Sequence, residues 1–160
     1  YLVENKWRKK RKNNVRQKTI RYCGRIYKLE KGSYKEITSE KYDKIQPRKI
    51  IFCLITSELI NHGFKEVKKN VWCRESYSVD LKNKKVYDST NQKNICLEIN
   101  NNFLCNHTLR TLVNFTPKKG LTNLQIGKQL ANTIESAGIS VSKEVFVFLA
   151  QKVLKDLENK

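Results

Sequence analysis

QPRKIIFCLITSELINHG, residues 46–63, decides the fold class. Pro47 marks a helix start, because the N–H it lacks is one that a first helical turn leaves unpaired anyway, and Gly63 stands just past the far end. Between them Ile51, Leu54, Ile55 and Leu59 recur at the three- and four-residue spacing of one buried face.

Beyond this helix the period falls to two. We expect strands over residues 64–72 and 76–81, the second with Tyr77, Val79 and Leu81 alternating with polar residues. Asn83-Lys84 is expected to turn the chain into a strand over 85–88, and a further strand over 94–99 sets Ile95, Leu97 and Ile99 on one face. Residues 100–120 hold an asparagine tract, an apolar stretch and the loop Thr116-Pro117-Lys118-Lys119-Gly120, and are expected mainly as connection. Leu121 opens a helix stopped by Gly138, and Ser142 opens another through Val145, Phe146, Leu149, Val153 and Leu157.

Upstream, Thr19, Ile20, Tyr22, Ile26 and Tyr27 favour strand, and Gly32-Ser33 supplies a turn into a second strand over 33–37, a basic hairpin. The expected whole is an α+β fold: a small antiparallel sheet with one central helix and a C-terminal helical pair, preceded by a basic N-terminal arm. The arm is expected over residues 1–17, kept mobile by like-charge repulsion, and a single domain over 18–160.

Charge supplies the functional reading. The chain of 160 residues carries 33 Lys and Arg against 15 acids, a net charge of +18. A base composition favouring lysine codons would spread that excess evenly. Instead residues 1–35 hold thirteen cations against two acids, a net of +11, leaving +7 for the rest. Polyanions are the usual partners of such a surface. The expected phosphate contacts are Lys6, Arg8, Lys9, Lys10, Arg11, Lys12, Arg16, Lys18, Arg21, Arg25 and Lys28, with Trp7 stacking on a base or anchoring the arm. The arginines matter most, since a guanidinium clamps phosphate or guanine bidentately where lysine offers a point charge. In the hairpin, Arg21, Cys23 and Arg25 are expected to project while Tyr22, Ile26 and Tyr27 pack or stack.

Other chemistries find weaker support. Asp80-Leu81-Lys82 has the acid-x-Lys form of metal-dependent nucleases, but Glu4-Asn5-Lys6, Glu66-Val67-Lys68 and Glu158-Asn159-Lys160 match it equally, and a second acid such as Glu66 or Asp88 would have to lie near Asp80. Cys73, Cys96, Cys105 and His107 have irregular spacing for zinc and are read as structural. Neither His62 nor His107 has a nucleophile and acid in an ordered pattern. A helix-turn-helix around Gly138 fails because its second helix opens with Glu144-Val145-Phe146-Val147-Phe148, aromatics where base readout is needed. No cofactor or metal is expected.

The five cysteines form no C-x-x-C pair, which argues for an intracellular, reducing compartment, with the nucleus among the candidates. No apolar run reaches membrane-spanning length. The expectation is therefore a non-enzymatic nucleic-acid-binding domain, for DNA or RNA. The alternative is a protein-interaction or scaffold module, docking an acidic partner or self-associating through the helix of Phe146 and Phe148.

Overall fold

The computed structural model describes residues 1–7, 15–32, 45–118 and 120–158. Among these the chain is α+β, with four helices and three small sheets. Helix α1 (Pro47–Asn61) is the central element. Its stripe of Ile50, Ile51, Leu54, Ile55 and Leu59 is buried almost completely, and Gly63 ends it at φ +77, a left-handed conformation that costs glycine little.

Four strands follow as an antiparallel meander: β4 (Lys65–Lys68), β5 (Val71–Arg74), β6 (Tyr77–Asp80) and β7 (Lys85–Asp88), after β1 (Leu2–Trp7), β2 (Val15–Arg21) and β3 (Arg25–Lys28) nearer the N-terminus. The stretch 64–72, expected as one strand, is broken at Lys69-Asn70, where Asn70 adopts φ +64 and its N–H donates to the Glu66 carboxylate. A short local hydrogen bond outweighs continued strand propensity there. The expected turn at Asn83-Lys84 is present, with Lys84 at φ +54.

Residues 100–120 contain more structure than the expected connection. Strand β8 (Ile95–Ile99) returns as β9 (Asn102–Leu104) through Asn100 and Asn101, both at positive φ, a two-residue hairpin turn. Helix α2 (Asn106–Val113) follows at once and buries Leu109, Leu112 and Val113. Helix α3 (Asn123–Ser136) begins with a capping box: Thr122 Oγ1 accepts from the Gln125 N–H at 3.3 Å, and Gln125 Oε1 accepts from the Thr122 N–H at 2.9 Å. Helix α4 (Lys143–Glu158) packs on α3, completing the C-terminal pair.

The basic hairpin has other partners than expected. Strands β1 and β2 pair with each other, whereas β3 leaves the ribbon and lies parallel to β8, from Arg25 opposite Ile95 to Lys28 opposite Glu98. The expected strand over 33–37 lies outside the described residues. Gly24 permits the departure. At φ +116 its Cα approaches β8 so closely that a Cβ would stand 2.5 Å from the Asn94 carbonyl oxygen.

One buried polar cluster joins the layers. The Glu58 side chain, 2% exposed on α1, accepts from Asn100 Nδ2 at 2.8 Å and from the Ser140 N–H at 3.1 Å. Asn100 Nδ2 also lies 2.9 Å from the Gly138 carbonyl, and His62 Nδ1 lies 2.9 Å from the Glu58 carbonyl. Replacing Glu58 by Ala takes away the acceptor of the Ser140 N–H and one of three acceptors around Asn100 Nδ2, which keeps the Gly138 carbonyl and Ser140 Oγ, and a charged hydrogen-bond acceptor of this kind contributes about 1.5–3 kcal/mol per bond. We expect Glu58→Ala to lower unfolding free energy by about 3 kcal/mol in urea titration, with Glu58→Gln intermediate.

Candidate nucleic-acid interface

The predicted basic residues divide into three groups. Arg8, Lys9, Lys10, Arg11 and Lys12 lie outside the described residues. Lys6, Trp7 and Arg16 are placed by their strands: the register sets Lys6 opposite Arg16 and Trp7 opposite Val15. Lys18, Arg21, Arg25 and Lys28 are exposed on the ribbon and on β3. The ribbon therefore brings Lys6 and Trp7 beside Arg16 and Val15, residues ten and eight positions apart in the chain. Two acids moderate the field, since Glu4 is opposite Lys18 and Glu98 opposite Lys28.

Of the two expected fates, packing or stacking, exposure excludes core packing for two of the three side chains. Tyr22 and Ile26, expected to pack or stack, are 60% and 52% exposed. The register shift between Leu2 and Val3 is the cause of part of this: Leu2 faces Arg21 while Val3 faces Thr19, so Ile20 is the extra residue of a bulge and is itself exposed. Tyr22 then leaves the ribbon and meets the ring of Tyr1, with centroids 5.2 Å apart and planes tilted by 54°. Tyr27 is half-buried, its ring 4.9 Å from that of Tyr77, and the Arg25 guanidinium lies 5.6 Å from the Tyr27 centroid. Sequence reading missed Tyr1 altogether, because only the bulged register brings it beside Tyr22.

The competing motifs resolve into local structure. Asp80 accepts from the Asn83 N–H at 2.8 Å and from Asn83 Nδ2 at 2.7 Å, so the carboxylate of Asp80-Leu81-Lys82 holds the β6–β7 turn. Asp88 accepts from the Thr90 hydroxyl at 2.6 Å and from the Thr90 N–H at 2.9 Å, and these bonds draw its carboxyl below the usual range. Glu66 likewise serves Asn70. Of the suggested zinc set, Cys73 pairs with Ser78 Oγ at 3.2 Å on the meander, while Cys96 lies on β8 and Cys105 follows β9 as the N-cap of α2. No group of His, Cys, Asp and Glu among the described residues has the form of a metal site. His62 does have an acid, Glu58, one helical turn back, a pairing visible in sequence as i and i+4; both are buried in the cluster that joins the layers.

Phe146 and Phe148 are partly buried and pack against the core, the second with Lys152 Nζ 5.0 Å from its ring centroid. The exposed apolar residues of α4 are Val147 and Leu157. No helix among the described residues is long and apolar enough to cross a membrane. No family model, curated protein or solved structure matches the chain.

Exposure makes a direct prediction about the tyrosine at the ribbon base. A side chain this open contributes little to packing, so Tyr22→Ala should change unfolding free energy by no more than about 0.5 kcal/mol in chemical denaturation. A loss several times larger would show that Tyr22 belongs to the core.

Proposed function

We propose that the protein is a non-enzymatic nucleic-acid-binding domain, for DNA or RNA, working in an intracellular, reducing compartment. The observation that carries this reading is the ribbon base, where Arg21 and Arg25 are exposed on the strand ends that flank the solvent-facing pair Tyr1 and Tyr22, with Lys18 exposed further along β2. Cations meet phosphates, and open rings offer a face to any base. An exposed tyrosine pair beside arginines has no packing role to explain it.

The physics assigns distinct tasks to the two halves of the interface. Residues 8–12 supply five charges without selectivity. Each neutralised phosphate releases counterions, so affinity falls steeply as salt rises. Arg21 ends β2 and Arg25 opens β3, so strand pairing fixes the backbone from which both reach, and the Arg25 guanidinium rests 5.6 Å from the Tyr27 centroid; these two serve as the oriented contacts. Five free cysteines accord with a reducing compartment.

Fluorescence anisotropy with labelled duplex DNA, single-stranded DNA and single-stranded RNA, each at several salt concentrations, tests the proposal. Replacing Lys9, Lys10, Arg11 and Lys12 by Ala should weaken binding and reduce the slope of log affinity against log salt by about 3, at 0.7–0.9 per lost contact. Replacing Tyr1 and Tyr22 by Ala should weaken single-strand binding by about 1–3 kcal/mol per stacked base while leaving the salt slope in place. Absence of binding to all three nucleic acids at low salt would overturn the proposal, and tight binding indifferent to the four-residue change would remove the arm from it.

A further inference from the structure

The four-stranded meander carries a second concentration of positive charge, separate from the ribbon. Alternate turns of an antiparallel meander lie at the same end, so the β4–β5 turn at Lys69-Asn70 stands beside the β6–β7 turn over residues 81–84. The Leu81 N–H donates to the Asn70 carbonyl at 2.9 Å and ties the two together. Across the sheet one row of paired residues runs from Lys68 through Val71 and Asp80 to Lys85. Residues 66–70 and 80–85 thus bring Lys68, Lys69, Lys82, Lys84 and Lys85 to one end of the sheet. Four of them are exposed and Lys84 is half-buried.

The acids at this end are already engaged. Asp80 lies opposite Lys85, yet its two oxygens accept from the N–H and Nδ2 of Asn83, and Glu66 accepts from the Asn70 N–H. None of the five lysines makes an ion pair among the described residues. The turns at the other end of the meander differ. Residues 74–76 and 88–93 hold Arg74 and Lys93 against Glu75 and Asp88, and Arg74 Nε lies 3.6 Å from the Glu75 carboxylate. A merely lysine-rich composition would load both ends alike. Here five cations stand against two acids at one end and two against two at the other. Ammonium groups gathered in this way repel one another, and an anion brought among them relieves that repulsion.

We propose, resting on the nucleic-acid reading above, that these paired turns are a second phosphate-contact surface, engaged by the same bound nucleic acid. Arg25 opens β3 opposite Ile95, next to the Tyr87–Asn94 bridge, so the ribbon base and the lysine turns lie at opposite ends of the strands between them. A nucleic acid that touches both therefore runs along the sheet, its phosphates meeting arginine at one end and lysine at the other. The lysines add affinity without selectivity, since each ammonium is a point charge lacking the fork that reads a base edge. A protein partner fits this surface less well. Interface centres are apolar and depleted of lysine, and between residues 65 and 88 Val67 is the one exposed large apolar side chain among the described residues.

Anisotropy titrations of the intact chain with labelled single-stranded DNA and RNA, at several salt concentrations, test the surface through a variant carrying Lys68→Gln, Lys69→Gln, Lys82→Gln and Lys85→Gln. All four side chains are exposed, so the thermal unfolding midpoint should hold. The slope of log affinity against log salt should fall by about 3, at roughly 0.7 per lost contact, while Arg at the same four positions keeps the wild-type slope. A control with Lys118→Gln, Lys128→Gln, Lys143→Gln and Lys155→Gln removes the same charge from exposed positions elsewhere and should lower the slope by less than about 1. Equal losses in the two variants, or no loss in the first while the wild type binds, would overturn the second surface and leave nucleic-acid binding standing. A wild type that binds neither strand at low salt would remove both. Acetylation footprinting by mass spectrometry gives a direct reading: bound single strand should protect Lys68, Lys69, Lys82 and Lys85. Protection by polyglutamate but not by nucleic acid would assign the turns to an acidic protein and overturn the proposal.

Discussion

The carboxylate of Glu58 is the point from which the packing of this protein is most easily understood. A charge on the apolar stripe of α1 is tolerable only where donors surround it, and those donors come from the β8–β9 turn and from the link between α3 and α4. The helix, the central sheet and the C-terminal pair are thereby required to meet at one place. Hydrophobic burial already fixes which face of α1 points inward, since turning the helix by one residue, about 100°, would swing its stripe out of the core; the hydrogen bonds to Asn100 and Ser140 add directional contacts at one end of it. Gly138 belongs to the same constraint, because a Cβ there would stand 2.4 Å from the Ile99 carbonyl oxygen. Asn100, at φ +49, and Gly138, at φ +73, occupy left-handed backbone on the two sides of this contact.

Against that fixed interior the ribbon is built on other terms. Two strands paired only with each other have no second layer to bury, and the cations they carry repel. Such an element is cheap to reshape, and under the binding function proposed above it is the polyanion's charge that offsets this repulsion. The division suits a binding surface, with a core that specifies position and an edge that adapts. It also explains why ribbon and core meet at glycine: Gly24 lets the chain turn from a solvated ladder into the side of a buried strand with no side chain between them.

Much of the fold was legible because periodicity reports burial. The stripe of α1, the alternation in β6 and the helical pair followed directly from apolar spacing, as did the turn at Asn83-Lys84. What escaped was short or non-local. Asn100-Asn101 reads as polar filler until both residues are seen to accept left-handed backbone, after which β9 and α2 follow. The division of 64–72 depended on one Glu66 side chain capturing the Asn70 N–H, a competition no propensity resolves. For the candidate site, charge placement was visible in composition, while the Tyr1–Tyr22 pair depended on a bulge, and the place of Arg25 on the pairing of β3 with β8. Local patterns carry no information about which distant strand will lie alongside.

That last pairing bears on how the molecule is assembled. Arg25 lies beside Ile95, seventy residues further along, and β3 runs parallel to its neighbour, so no tight turn can bring the two together. During synthesis the basic ribbon leaves the ribosome before β8 does, so the strand that anchors it has no edge to join until β8 has been made. Closing so long a loop is entropically unfavourable before the intervening helix and meander are in place. The ribbon is thus attached to the body late, and for an interval the most positively charged part of the chain is tethered to a body that has not yet closed around it.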